Sequence, residues 1–271
     1  MNRLFIPALL FVISAGGCAP NNNASDPVRG VAASIVAARA FDRAQIAITR
    51  DDDAGLARAG EDLRRAARGG SNPQLTVAFT AALTSEASRL AGEASRARKV
   101  EKARLMAQSD SKYRAALAFA PQKEPEKSLD AVTLNALGYF LADRGKTAAD
   151  FERAATLTFA AYRKWPMPSG VALARVSRAV GPQDSYAWAL FKSRKLAEAR
   201  KQQEEVLRVV RKLAPGEITA EIPFHMAEIY RALGENEKAR AEYEIAGQLT
   251  TDAQLRTQIE KGLQSLDFRQ V

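Results

Sequence analysis

Alanines recur through residues 27–48 at alternating steps of four and three: Ala33, Ala37, Ala40, Ala44 and Ala47. This spacing follows the 3.6-residue turn of an α-helix, so the five methyl groups share one narrow face. Such a face lets a second helix approach closely. Apolar residues keep helical spacing almost everywhere else, no stretch sustains the alternation of a strand, and β-branched residues are sparse. The chain is therefore expected to be all-α. Hydrophobic residues make up 46% of it but aromatic residues only 7%, so its core must rely on small side chains.

The first residues carry a different signal. Asn2 and Arg3 precede an apolar run from Leu4 to Ala15, shorter than the ~20 residues a membrane-spanning helix needs. It fits the apolar segment of an export signal. Ala15, Gly16 and Gly17 then lead to Cys18, the single cysteine, which excludes a disulfide within the chain. Residues 1–17 resemble a bacterial lipoprotein signal, with Ala15 standing where leucine is usual. That resemblance implies acyl chains on Cys18 as a lipid anchor. The alternative is a plain secretory signal cut near Gly17, leaving a free thiol. Ala19, in place of aspartate after the cysteine, implies the periplasmic face of the outer membrane.

Residues 18–26 are polar and rich in turn formers, as in a flexible tether. The eight from Ala19 to Asp26 reach at most ~28 Å, which would hold the folded part near the membrane. The net charge of +9 would suggest nucleic acid in a cytoplasmic protein. For an exported chain it points instead to anionic lipid, peptidoglycan carboxylates or acidic proteins.

Within the mature chain, Asp51, Asp52 and Asp53 are read as the start of a second helix carrying Leu56, Leu63 and Ala67 on one side. Without spaced carboxylates and a glycine they do not form a calcium loop, and no metal or cofactor site is expected. Breaks are expected at "RGGSNP" (68–73), "KWPMPSG" (164–170), "VGPQD" (180–184) and "APGEIT" (214–219). Ser109 to Ser111 are read as the cap of a helix that stops before Pro121, and "PQKEPEK" (121–127) as a polar linker.

"LGYFLADRGKT" (137–147) has the residue types of a phosphate-binding loop, but six residues separate Gly138 from Gly145 where four are needed. Leu134, Leu137 and Leu141 share a helical face through it. It is read as a helix that ends at Gly145, with that glycine as a left-handed cap.

Phe224 to Ala246 resembles a tetratricopeptide repeat, with Ala227, Tyr230, Gly234, Ala239, Tyr243 and Ala246 at the signature positions. Asp184 to Leu207 is similar, with Ala187, Leu190 and Ala199 in register; Arg194 replaces the turn glycine and Gln203 the aromatic. A third copy begins at "NALGYFLADRGKT" with a second helix near Phe151 to Arg163, and Tyr113, Ala116 and Pro121 fit the end of an earlier one. The resemblance implies a helix-turn-helix solenoid, with degenerate repeats over 100–271. A helical N-terminal region of divergent repeats, or a capping bundle, is expected over 27–99.

The family places a binding groove along the first helix of each pair. Here that implies Asn135, Tyr139, Asp143, Trp188, Lys192, Glu228 and Arg231, with no catalytic residue. The expected function is a scaffold or adaptor that binds protein partners in the cell envelope. Alternatives are a structural part of a pilus, secretin or polysaccharide-export machine, or a periplasmic hydrolase. The last would have to use His225, the only histidine, for which a structural role is expected.

Overall fold

The computed structural model describes residues 27–50, 52–68, 74–121, 124–165 and 176–267; the signal, Cys18 and the tether lie outside them. Helix α1 (Pro27–Arg50) packs on α2 (Asp53–Arg68). Their contact uses the alanine stripe: Ala37, Ala40, Ala44 and Ala47 are buried. Asp52 caps α2, its Oδ1 accepting from the Gly55 backbone N–H at 2.8 Å, which satisfies one of the donors that a helix start leaves open. Leu56 and Leu63 face inward as expected.

The same unit recurs. Helix α3 (Gln74–Ala94) pairs with α4 (Lys99–Phe119), and α6 (Ala131–Arg144) with α7 (Ala148–Lys164). Helix α8 (Val176–Lys192) pairs with α9 (Leu196–Leu213), and α10 (Glu221–Leu233) with α11 (Asn236–Leu249), while α12 (Ala253–Asp267) closes the series against α11 and α10. Successive pairs touch through α3 and α6, α7 and α8, and α9 and α10. Among the described residues there is no strand. The protein is an all-α solenoid of helix-turn-helix units, and one buried cluster runs through it from Ala37 to Leu266. The division expected at residue 99 falls at the turn between α3 and α4, two helices that pack on each other.

Gly138 sits inside α6, not in a loop. A Cβ there would lie 2.6 Å from Thr158 Cγ2 and 2.9 Å from the Thr158 backbone nitrogen, so α6 and α7 cross where only hydrogen fits. Gly145 does end α6, but its backbone is extended (φ −62°, ψ 153°) rather than left-handed. A side chain at this position would meet the Leu141 carbonyl oxygen at 2.4 Å. Space, not backbone sign, demands this glycine. Thr147 and Asp150 then form a reciprocal capping box at the start of α7.

One expected cap and one expected break are absent, and the expected linker after Phe119 holds a helical turn. Ser109 to Ser111 lie within α4, because Ser109 is buried and its Oγ donates to the Ala87 carbonyl of α3 at 2.8 Å. "VGPQD" runs through the middle of α8 with Pro182 inside the helix. An interior proline costs ~3 kcal/mol; burial of Val180, Gln183 and Asp184 around it offsets that. The "PQKEPEK" segment holds a short helix, α5 (Pro125–Ser128), whose Pro125 is buried beside Leu129. The break at 214–219 is present, with a single 3-10 turn at Pro215–Glu217. Residues 69–73 and 166–170, in two other expected breaks, lie outside the described residues.

Candidate binding cleft

The alternation of first and second helices sets which side chains meet. Helices α6, α8 and α10 are each the first of a pair, and one face of each turns toward a common cleft of about 480 Å³, with α12 as its fourth wall. Tyr139 and Asp143 come from α6, Trp188 and Lys192 from α8, and Glu228 and Arg231 from α10. Six of the seven residues expected to line a groove are thus brought together. Asn135 is one turn earlier on α6, in an adjoining cleft of about 430 Å³ that shares Tyr139, Asp143 and Glu221. The Oδ1 of Asn135 is buried without a hydrogen-bond partner among the described residues.

The floor is aromatic. Trp188 is 6% exposed and stacks on His225 (centroids 4.3 Å apart, planes at 17°) and on Phe191 (5.0 Å). Phe224 and Tyr139 lie about the same histidine, at 6.1 Å and 6.2 Å. Trp188 is accordingly a core residue that also faces the cleft, and its Nε1–H has no acceptor among the described residues. Burial raises the Tyr139 phenol far above its usual range, with the carboxylates of Asp143, Asp184 and Glu221 adding to the effect. It remains a protonated donor at any physiological pH.

Beneath the floor lies a buried polar group. His225, 2% exposed, places Nδ1 3.1 Å and 3.2 Å from the two Asp184 carboxylate oxygens. Asp184 also accepts from Gln203 Nε2 at 2.6 Å, and that amide donates to the Ile222 carbonyl at 3.1 Å. Gln203, standing where the repeat family has an aromatic, thus ties α9 to α8 and α10 by hydrogen bonds instead of ring packing. Among the described residues the Asp184 carboxylate is the hydrogen-bond partner of His225 Nδ1. No hydroxyl or thiol is hydrogen-bonded to His225 among the described residues.

The rim carries both signs of charge. Lys192 lies 5.3 Å above the Trp188 ring and 5.5 Å above Phe151, distances at which a cation is attracted to a ring face. Arg231 donates to Glu228 at 2.6 Å and to the Tyr243 hydroxyl at 3.1 Å, and that hydroxyl donates to the other Glu228 oxygen. This locks Glu228 and Arg231 into one orientation. From α12, Lys261, Gln258 and Ser265 complete the wall. Helix α12 lies within the stretch expected to hold degenerate repeats, but no repeat signature in the sequence shows where it docks.

The arrangement presents apolar area ringed by donors and acceptors, the chemistry that holds apolar groups with polar flanks. No protein-family model matches the chain, and no curated protein matches it. Among solved structures, yeast Tom70 is similar at 14% identity and a TM-score of 0.44, over 86% of this chain and 40% of that one. The chain therefore spans two fifths of the Tom70 chain. A structure titled for the functional characterization of Pseudomonas aeruginosa PilF is similar at 14% identity and a TM-score of 0.39, over 88% of this chain and 91% of that one.

Proposed function

We propose that this protein is a protein-binding adaptor of a bacterial envelope, held by lipid on Cys18 at the periplasmic face of the outer membrane. Its cleft between α6, α8, α10 and α12 grips a segment of a partner protein. The observation that carries the reading is the convergence of Tyr139, Asp143, Trp188, Lys192, Glu228 and Arg231 on one cleft with an aromatic floor and a charged rim. The anchor rests on the signal-like residues 1–17 and the lone cysteine.

The test has two arms in the native envelope. A photocrosslinking residue at Lys192 or Lys261 should capture the same partner, and the pair Lys192→Glu and Lys261→Glu should lower capture at least tenfold with an unchanged melting temperature. Cys18→Ser should move the protein from the membrane pellet to the soluble periplasm. Capture that ignores both charge reversals would sink the cleft; pelleting of the serine variant would sink the anchor. A hydrolytic reading draws on the Asp184–His225 pair beside the cleft. His225 also belongs to the floor, so turnover and not capture separates the two: a hydrolase would cleave ester or peptide substrates and lose that activity in His225→Gln, whereas an adaptor would cleave none.

A further inference from the structure

The solvent face of α1 is not what an ordinary surface helix presents. Its buried side is formed by Ala37, Ala40, Phe41, Ala44 and Ile48. At 100° per residue, Ile35, Arg39, Ile46 and Arg50 fall within about 60° of one another directly opposite that side. Ile35 is 50% exposed and Ile46 49% exposed, and Val36, on the flank of the same face, is 43% exposed. Single exposed apolar residues need no explanation. Two isoleucines in line on one helix, with Arg39 and Arg50 to one side of them and Asp42 to the other, do.

The charges beside them favour one sign. Arg39 and Arg50 are exposed and enter no hydrogen bond or ion pair among the described residues, whereas Arg43 is neutralised by Asp62 of α2 at 2.6 Å. Asp42 is the single acidic residue of α1. Next to Ile46, the C-terminal half of α1 and the start of α2 enclose a shallow cleft of about 390 Å³ that brings Arg43, Arg50 and Arg58 around Asp52 and Asp62. Arg58 in turn lies 3.8 Å from Asp52, so within this cleft Arg50 is the cation with no carboxylate partner among the described residues. Arg39 and Arg50 beside an apolar ridge match the chemistry of a phospholipid surface, with phosphate outermost and acyl chain beneath.

We propose that the outer face of α1 lies on an anionic phospholipid bilayer, with Ile35 and Ile46 entering the headgroup boundary and Arg39 and Arg50 holding lipid phosphates. The short reach from Cys18 selects this occupant over a protein partner. The chain outside the structure agrees: only the eight residues from Ala19 to Asp26 separate Cys18 from α1, a span of at most ~28 Å. Helix α1 is itself ~36 Å long, so it can lie flat beside its anchor. The proposal rests on the lipid-anchor reading for bringing α1 to the membrane.

The experiment reconstitutes the full chain into vesicles of phosphatidylcholine containing about a third phosphatidylglycerol, part of it carrying a photoactivatable group near the headgroup. Crosslinked peptides are mapped by mass spectrometry, and flotation with the vesicles reads the anchor separately. Adducts should concentrate on residues 35–58. The double variant Arg39→Glu and Arg50→Glu should lower them more than tenfold, since each cation near an anionic surface is worth about fivefold in binding. Ile35→Ser with Ile46→Ser should lower them as well, with helix content unchanged by circular dichroism. A chain that floats but whose adducts spread evenly, or gather on another helix, overturns the α1 face alone. Adducts on 35–58 that survive both double variants overturn it too. A chain that does not float overturns both the face and the anchor.

Discussion

Arg194 holds a left-handed backbone, φ 64°, at the turn between α8 and α9, and Gly234 holds φ 78° at the equivalent turn between α10 and α11. The hydrogen bonds match. Lys195 N donates to Leu190 O at 2.9 Å and Arg194 N to Phe191 O at 3.0 Å; Glu235 N donates to Tyr230 O at 2.9 Å and Gly234 N to Arg231 O at 3.2 Å. Both are the paired closure that ends a helix on a left-handed residue. Glycine is free to do this, whereas an L side chain meets a cost of ~1–2 kcal/mol. Arg194→Gly should therefore stabilise the protein by about 1 kcal/mol, after allowing for the greater freedom of glycine in the unfolded chain. A higher urea midpoint at constant slope would show it; a lower midpoint would mean that the arginine side chain contributes more than its backbone costs. The sequence located this turn by register with Gly234 but could not say that arginine would adopt the glycine conformation.

Helix pairs here are held by small residues at crossings, and Gly138 is the tightest test of that. Its virtual Cβ meets Thr158 Cγ2, which can rotate, but also the Thr158 backbone nitrogen and, at 3.1 Å, the Ala154 carbonyl oxygen, which cannot. Gly138→Ala gains up to ~1 kcal/mol of helix propensity but must push α6 from α7, an overpacking cost of ~1–3 kcal/mol. The expected result is a net loss of about 1 kcal/mol or more in thermal or urea unfolding, with Gly138→Val worse. A neutral alanine variant would show that the two helices separate without penalty. Element positions were readable wherever such small residues recur in register, as in α10 and α11. They were misread at Ser109 and Pro182, whose types favour caps and breaks. There a neighbouring helix supplies what the local chain lacks: a carbonyl acceptor for Ser109, and enough buried contact to hold α8 through the proline.

Over the whole molecule, Lys102 at the start of α4 reaches Asp252 before α12 at 2.5 Å, joining positions 150 residues apart. Lys102 first, and then the Leu255 and Gln254 backbone N–H groups, hold the Asp252 carboxyl below its usual range against the opposing effect of burial. A depressed carboxyl stabilises the fold above its unfolded pKa, and that contribution is lost as pH falls through the folded one. Both partners are partly exposed, so the bridge is worth less than ~1 kcal/mol. Asp252→Asn keeps the capping geometry, so it should lower the urea midpoint slightly at pH 7. That difference should vanish in acid below the carboxylate range; one that persisted there would assign the effect to packing. What the sequence determined by itself is local and periodic: helices, small-residue crossings, the turn at Gly234, and the positions on successive first helices whose side chains share a side. Those follow from the 3.6-residue turn and from side-chain size, which any stretch of chain carries within it. The docking of α12 as the fourth wall, the Asp184–His225–Gln203 group under the cleft, and the burial of Trp188 were decided only by tertiary structure. Each depends on how far one pair rotates over the next, and residues far apart in the chain set that rotation together.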